Sequence, residues 1–231
     1  MSIRFTTLVV ALALALAGRC EAADDEPALS WRGVNIGMTL AEASNRLLEL
    51  GFLPQPIQWG GNRRERWEGT MAAPPRSGEC SGDAGEQCEE AFLSIVRNPA
   101  GQEIVWVISA WSHLSTPAYV ERLLAPAFDR YGNRYVVDWR NGYKMPDGTV
   151  QFRLWNGYWY PNGSEDNGQI TISTSVFPRQ IINPSDPVPP VPDKDARAWG
   201  VTVIVSDSRI RERTQKEYED RDHSLPPPVR Y

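Results

Sequence analysis

The segment Glu90–Trp111, with the sequence EAFLSIVRNPAGQEIVWVISAW, carries the clearest structural signal in this chain of 231 residues. Its two halves, Glu90–Arg97 and Glu103–Trp111, are rich in β-branched and aromatic residues, which favour strands. The tetrapeptide Asn98–Gly101 between them consists largely of residues that form turns. The segment therefore predicts a β-hairpin, and an antiparallel sheet is the natural starting point for the rest of the fold.

A helix is predicted upstream of this hairpin, over residues 39–50. Thr39 can cap its N-terminus, and Glu42, three residues later, completes a capping box. Apolar residues recur along the segment at helical spacing, so that one face can be buried. Gly51 supplies the left-handed conformation with which many helices end.

A second helix is predicted downstream of the hairpin. It begins near Thr116–Pro117, because proline is common in the first turn of a helix, and it ends at Gly132. Apolar residues between these limits again repeat at helical spacing. Pro126 lies inside the segment and is expected to kink or split the helix.

Further strands are predicted on both sides of this second helix. Dipeptides of the Asn-Gly and Asp-Gly type, which favour tight hairpin turns, divide the chain after Gly132 into an antiparallel meander. Asn156-Gly157 is predicted to be one of these turns, which would place Trp155 opposite Tyr158. The predicted strands are Arg64–Thr70, Arg134–Arg140, Thr149–Trp155, Tyr158–Tyr160 and Gln169–Phe177.

The C-terminal part of the chain is predicted to be organised differently. Residues 183–193 (NPSDPVPPVPD) form a proline-rich connector, which we expect to be stiff. A strand at Trp199–Ser206 and a highly charged helix at about Arg209–Arg221 follow within residues 194–222. We expect this helix to lie solvated on the edge of the domain, and a partner-binding helix is the alternative. The tail, residues 223–231, is predicted to be disordered.

Residues 1–22 have the pattern of a secretory signal peptide. Arg4 supplies the positive start, and the apolar run Leu8–Ala17 is too short to cross a hydrocarbon core of about 30 Å. We therefore expect a periplasmic or secreted protein without a transmembrane segment, whose main domain covers residues 23–182. A lipid anchor at Cys20 is not expected, because Arg19 stands where a lipoprotein signal has a small residue.

Two cysteines, Cys80 and Cys88, remain once the signal peptide is removed. The loop between them is short and rich in glycine and small polar residues, so the chain can turn back on itself. Because export exposes a protein to oxidising conditions, we predict a disulfide between these two cysteines. The chain offers too few further His and Cys ligands for a zinc site, so neither a metal nor a cofactor is expected.

The order of elements predicts the α+β class: an antiparallel meander with two helices packed on it and a C-terminal strand–helix appendage. The motif Ile36-Gly37-Met38-Thr39, followed by Glu42-Ala43 and Leu50-Gly51-Phe52, resembles the opening helix of SmpA/OmlA-type outer-membrane assembly lipoproteins and of β-lactamase-inhibitory-protein-like modules. The resemblance covers about twenty residues. It implies an exported, non-catalytic module that binds protein, and it leaves open a tandem of two helix-plus-sheet modules.

Several kinds of chemistry find little support in the sequence. With 24 basic and 29 acidic residues the net charge is −5, so the chain lacks the basic excess that nucleic-acid binding needs. His113 and His223 are the only histidines, and no serine-nucleophile motif surrounds His113. Segment 162–168 (NGSEDNG) resembles a calcium loop only in composition. A carboxylate pair for glycan hydrolysis stays open, from the predicted strand residues Glu65, Glu68, Glu103 and Asp138.

The aromatic cluster Trp155, Tyr158, Trp159 and Tyr160 is the most distinctive part of the sequence. Exposed aromatic side chains on a sheet can stack on sugars or bind proteins, whereas alternation along a strand would bury one side of the cluster. We predict a non-catalytic protein-binding module of the cell envelope, with an envelope protein as its partner. The alternative is a cell-wall or glycan-binding or glycan-acting protein that uses this aromatic hairpin.

Overall fold

The computed structural model describes residues 29–60, 67–76, 88–132, 135–161, 168–183, 185–187 and 189–224 of the protein. This part of the chain forms a nine-stranded antiparallel sheet, a small two-stranded sheet and three helices. The α+β class with helices packed on a large antiparallel sheet, predicted from the sequence, is confirmed.

The elements follow one another along the chain with few irregular stretches. The small sheet consists of β1 (Ser30–Trp31) and β2 (Val34–Asn35), and the helices are α1 (Leu40–Glu49), α2 (Val120–Tyr131) and α3 (Ser208–Ser224). The large sheet has the order β3-β4-β5-β6-β11-β10-β9-β7, with the short β8 also paired to β9. Its strands are β3 (Gln58–Trp59), β4 (Glu68–Ala73), β5 (Cys88–Arg97), β6 (Glu103–Tyr119), β7 (Val136–Arg140), β8 (Tyr143–Lys144), β9 (Val150–Trp159), β10 (Gln169–Ile182) and β11 (Arg197–Ser206).

The topology is a tandem of two helix-plus-sheet modules. Helix α1 is followed by the meander β3-β4-β5-β6, and α2 is followed by β7, β9, β10 and β11, which neighbour one another in the same way. In each module the last strand returns beside the start of its own helix. Val105 donates its N–H to the carbonyl of Met38 (3.0 Å), and Val120 donates to Ala196 (2.9 Å). The pairing of β6 with β11 joins the two meanders into one sheet.

Helix α1 forms where local signals predicted it. Thr39 and Glu42 make the capping box, with Glu42 N–H donating to Thr39 Oγ1 and Thr39 N–H donating to Glu42 Oε2. At the other end Gly51 adopts a positive φ of 88°, and Phe52 donates its N–H back to the carbonyl of Leu47 (2.9 Å). These interactions satisfy the backbone groups at both ends of the helix. Helices α1 and α2 bury one face of the sheet, to which Leu93, Ile108, Trp155 and Ile172 contribute core side chains.

The predicted start of the second helix is wrong. Strand β6 continues through Thr116 and Pro117 to Tyr119, and the helix begins only at Val120. The strand extends this far because Ala118 and Tyr119 still pair with β11, a long-range interaction that overrides the local preference of proline for a first helical turn. Pro126 lies on the exposed side of α2, and the helix runs through it without a break.

The predicted turn at Asn156-Gly157 is also wrong, because β9 passes straight through it. Trp155 pairs across the sheet with Trp139 and Thr174, not with Tyr158. Gly157 lies between two indole rings on the core face. A Cβ there would lie 2.6 Å from Trp155 Cη2 and 2.8 Å from Trp159 Cζ3. The glycine therefore leaves room for the two rings instead of turning the chain.

The C-terminal strand does not form an appendage. β11 lies in the middle of the sheet, hydrogen-bonded to both β6 and β10. The proline-rich segment that precedes it packs on the core, since the Nε1–H groups of Trp139 and Trp155 donate to the carbonyls of Pro189 and Pro190, each at 3.0 Å. The proline-rich segment and β11 therefore belong to the second module, and the boundary between the two modules lies near Val120.

Helix α3 lies against the face of the sheet opposite α1 and α2, at the end where β5 turns into β6. Arg211 pairs with Glu68, and the Tyr218 ring stacks on Trp67 at a centroid distance of 6.1 Å. The Tyr218 hydroxyl also donates to the carbonyl of Arg97 (2.9 Å). The helix that was expected to lie solvated on the edge of the domain is thus attached to the sheet by one stripe of residues.

Several predictions fall on residues outside the described ranges. They include the signal peptide at residues 1–22, the lipid-anchor position Cys20, the strand residues 64–66, the calcium-like loop at 162–167 and the tail beyond Ser224. Cys80 also lies there, so its disulfide with Cys88 stays a prediction. No helix among the described residues is both long and apolar enough to cross a membrane.

Candidate functional site

The two tryptophans of the predicted binding surface lie in the core. Trp155 is 0% exposed and Trp159 is 1% exposed, because both side chains point to the face that the helices cover. Trp159 donates its Nε1–H to the carbonyl of Gly132 (2.8 Å) and stacks on Tyr135 at 4.9 Å. Neither ring can stack on a ligand, which corrects the predicted surface at residues 155–160.

The two tyrosines of that cluster are only partly buried. Tyr158 points to the opposite face from the tryptophans and pairs with Val136 of the neighbouring strand β7, which also carries Asp138 and Arg140. Burial raises the pKa of the Tyr158 phenol, and the positive charge of Arg140 opposes this shift. Tyr160 follows the end of β9. These two residues form no continuous aromatic surface with the buried tryptophans.

A different set of aromatic side chains lies exposed or half-buried on the sheet face opposite α1 and α2. Trp111 on β6 is 45% exposed and Trp199 on β11 is 47% exposed. His113 lies between them, with ring centroids 5.8 Å from Trp111 and 6.5 Å from Trp199. Phe177 on β10 continues the row at 6.2 Å from Trp199, and the exposed Phe92 lies diagonally across from Trp111. We call these five residues the aromatic strip.

Strand alternation and one bulge place the tryptophans of the strip. On β6, Ile108 and Ala110 enter the core, so Trp111 and His113 point to the other face. Ala198 of β11 pairs with Ala118, but Gly200 pairs with His113, so the register shifts here and Trp199 lies opposite residues 114–117 of β6 without a regular cross-strand partner. A Cβ at Gly200 would lie 2.0 Å from the carbonyl oxygen of Ser112, so only glycine allows the two strands to approach this closely.

Trp199 has a counterpart in the first module. Trp106 on β6 lies two residues beyond Ile104, which pairs with Thr39, the N-cap of α1. Trp199 on β11 likewise lies two residues beyond Arg197, which pairs with Tyr119, the N-cap of α2. Helix α3 lies over Trp106, with the Arg211 Cζ atom 5.9 Å from its ring. In the described part of the chain, no helix lies over Trp199. The two modules thus present equivalent tryptophans, one covered by the chain itself and one exposed.

The charges around the strip differ between its ends. Glu90 is the cross-strand partner of Trp111 and shares its face of the sheet. No cation of the described residues forms an ion pair with Glu90, whereas the neighbouring Glu89 pairs with Arg32 at 2.7 Å. At the opposite end, Arg197 donates to the Tyr119 hydroxyl (3.0 Å) and lies 4.5 Å above the Tyr119 ring.

The groups considered for catalysis are not assembled into a site within the described residues. The strand carboxylates are held by separate arginines: Glu68 by Arg211, Glu103 by Arg97 and Asp138 by Arg140. No group of three or more His, Cys, Asp and Glu side chains among the described residues could hold a metal ion. The sheet face opposite α1 and α2, which we call the open face, carries a shallow cleft of about 230 Å³. This cleft is lined by Gln58, Gly60, Glu68, Gly69, Thr70, Ser94 and Trp106.

Comparison of the chain with protein-family models, curated proteins and solved structures returned no match. The fold and the site therefore define the class directly: a two-module α+β protein with an aromatic strip on the open face of its sheet.

Sequence reasoning missed Trp111 and Trp199 as site residues, although one signal for Trp111 was present. Ser109, Trp111 and His113 share one parity on their strand, while Ile108 and Ala110 share the other. An aromatic residue that alternates with serine and histidine belongs to the polar face. The exposure of Trp199 had no such signal, because it depends on a bulge and on which module α3 covers.

Proposed function

We propose that the protein is an exported, non-catalytic protein-binding module of the cell envelope, and that the aromatic strip is its binding surface. The observation that carries the proposal is the row of exposed rings around Trp111 and Trp199. Tryptophan is the residue most enriched among those that dominate protein interfaces, because it offers a large contact area at a small cost in side-chain entropy. Neighbouring exposed apolar side chains that form a continuous patch typically mark an interaction site.

Export to the periplasm or the medium is supported by the N-terminal sequence. A positive start and a short apolar run are typical of a cleaved signal peptide. The proposed disulfide between Cys80 and Cys88 is consistent with that destination. Thiol alkylation of the mature protein without reductant should leave both cysteines unlabelled, and labelling of both would contradict the disulfide.

Site-specific photocrosslinking tests the binding surface. A photoreactive residue at Thr202, which pairs with Trp111 on the open face, should capture one specific envelope protein in the cells that produce this chain. The matched control is a photoreactive residue at Tyr143, which is 61% exposed on β8, outside the strip. The adduct at Thr202 should disappear when Trp111 is replaced by alanine. Equal adducts at both positions, or none at Thr202, would contradict the proposal.

A glycan ligand is the second candidate, and one feature of the strip favours it. The rings of His113 and Trp199 are nearly parallel (12°), and those of Phe177 and Trp199 differ by 25°, so three neighbouring rings have a similar orientation. Neighbouring exposed aromatic rings suit the stacking of sugar rings. Pelleting of the mature protein with peptidoglycan or chitin, abolished by Trp199→Ala, would favour this candidate. Trp159 is unsuitable for such a test because it lies in the core.

A further inference from the structure

We propose that the aromatic strip binds an arginine-bearing segment of its partner, with an arginine guanidinium stacked on Trp111 and paired with the carboxylate of Glu90. Trp199 offers a second ring for the same kind of contact. This inference rests on the proposed function, since it names the chemistry of the partner at the same surface.

The surroundings of the nine tryptophans carry the inference. Four of them, Trp31, Trp139, Trp155 and Trp159, lie in the core, and the last three donate their Nε1–H groups to backbone carbonyls. Trp31 and three tryptophans outside the core lie against a guanidinium of the same chain, with a Cζ atom between 4.0 and 5.9 Å from the ring centroid. These pairs are Arg32 with Trp31, Arg97 with Trp59, and Arg211 with both Trp67 and Trp106.

Trp111 and Trp199 are the two tryptophans that remain. Both are nearly half exposed, and among the described residues neither has a guanidinium over its ring. A guanidinium is weakly hydrated and planar, so it stacks on an indole more readily than an ammonium does. The strip therefore presents two unoccupied copies of a contact that this chain makes at each of its other non-core tryptophans.

The contact made by Arg211 shows what a bound arginine at Trp111 would require. Its guanidinium lies 5.8 Å from the Trp67 ring and 5.9 Å from the Trp106 ring, and it pairs with Glu68 from the same face of the sheet. The open face thus combines an indole surface with an adjacent carboxylate. Trp111 and its cross-strand neighbour Glu90 repeat this combination, and no cation of the described residues pairs with Glu90.

Charge complementarity points in the same direction. The chain carries a net charge of −5, and the carboxylate at the Trp111 end of the strip has no ion-pair partner among the described residues. Arg197 lies at the Tyr119 end, where it already stacks on that ring. A basic segment is therefore favoured at the Trp111 end. A purely apolar segment would leave the Glu90 carboxylate beside it without a partner, which costs free energy on desolvation.

NMR titration of the mature protein with two short peptides tests the inference. The probes are Ac-Gly-Arg-Gly-Arg-Gly-amide and the matched peptide with lysine in place of arginine, observed through the indole Nε1–H signals. The arginine peptide should shift the signals of Trp111 and Trp199, and not those of the buried Trp155 and Trp159. It should bind at least about threefold more tightly than the lysine peptide, because only the guanidinium stacks.

Two variants separate the contributions of the ring and the carboxylate. Trp111→Leu keeps apolar area but removes the π-surface, and Glu90→Gln keeps the shape but removes the charge. Each should weaken binding of the arginine peptide at least about threefold while leaving the unfolding midpoint close to that of the wild type. Tyr143→Leu, outside the strip, should leave the affinity unchanged.

Equal affinity for the two peptides, or an arginine affinity unaffected by both Trp111→Leu and Glu90→Gln, would overturn the inference. Failure of the inference is distinguishable from failure of the proposed function. In one outcome the photocrosslinked adduct at Thr202 still forms and depends on Trp111, but the arginine and lysine peptides bind with equal affinity. The strip then binds a protein of different chemistry. Loss of both results would contradict both proposals.

Discussion

At the scale of single residues, Gly157 has a large effect on where the aromatic side chains lie. The dipeptide Asn156-Gly157 is typical of a hairpin turn, yet the strand continues through it because two tryptophans need the space that a side chain would fill. The same residue type therefore has two different roles, and short-range sequence alone does not distinguish them. What decides between them is the pairing of β9 with β7 and β10.

Replacement of Gly157 by alanine should destabilise the protein by about 1–3 kcal/mol, because the added Cβ crowds Trp155 and Trp159 in the core. The measurement is the free energy of unfolding in urea. In a Trp159→Leu background, where the neighbouring ring is absent, the same change should cost clearly less. An equal loss in the free energy of unfolding in both backgrounds would show that Gly157 is not needed to make room for the two rings.

At the scale of elements, local sequence signals predict some helices and strands correctly and fail for others. Helix α1 and the hairpin of β5 and β6 were predictable, since caps, turn residues and periodicity lie within the segments themselves. The full length of β6 and the central position of β11 were not, because both depend on pairing between strands far apart in sequence. The aromatic strip spans four strands, so the site shares this dependence on long-range pairing.

Asp207 precedes helix α3, and its carboxylate stabilises the first turn of the helix in a pH-dependent way. Its carboxylate accepts the N–H of Arg209 and pairs with the Arg209 guanidinium at 2.6 Å. The hydrogen bonds from Arg209 lower the pKa of Asp207 below its ordinary value of 3.8. A carboxyl group with a lowered pKa contributes stability above its ordinary pKa, and this contribution is lost as the pH falls through the lowered value.

We therefore expect the Asp207→Asn variant to be less stable than the wild type at pH 7, with the difference shrinking below about pH 3.8. Urea unfolding of both proteins at pH 7, 4 and 2.5 measures this difference. A difference that stays constant across these pH values would contradict the role assigned to the Asp207 charge.

Helix α3 should detach locally when its aromatic contact is removed. Tyr218→Ala removes both the stacking on Trp67 and the hydrogen bond to the carbonyl of Arg97. Amide hydrogen exchange should become faster along α3 while the central strands keep their protection. Lys216→Ala, at an exposed position of the same helix, is the control and should change little. Unchanged exchange in the Tyr218 variant would show that other contacts hold the helix.

At the scale of the whole molecule, we expect the β6–β11 ladder to make the two modules fold as one unit. Each module alone would expose the long edge of its last strand, which extended sheets do not tolerate well. Thermal unfolding followed by tryptophan fluorescence and by far-UV circular dichroism should therefore give one coincident transition. Two separated transitions would indicate modules that fold independently.

The whole-molecule view also explains why the exposed aromatic rings are concentrated on one part of one face. Helices α1 and α2 cover the opposite face, and α3 covers the end of the open face near Trp106. The strip around Trp111 and Trp199 is the aromatic surface of the sheet that these three helices leave exposed. A partner bound there would complete the cover of the sheet.

Hydroxyl-radical footprinting in the producing cells tests whether a partner covers the aromatic strip. The oxidation rates of Trp111, Trp199 and the control residue Tyr143 are measured by mass spectrometry in intact cells and in the purified protein. We predict that Trp111 and Trp199 are oxidised several-fold more slowly in the cells, relative to Tyr143, because a partner covers them. Equal relative rates in cells and in the purified protein would contradict the claim that the strip is a binding surface.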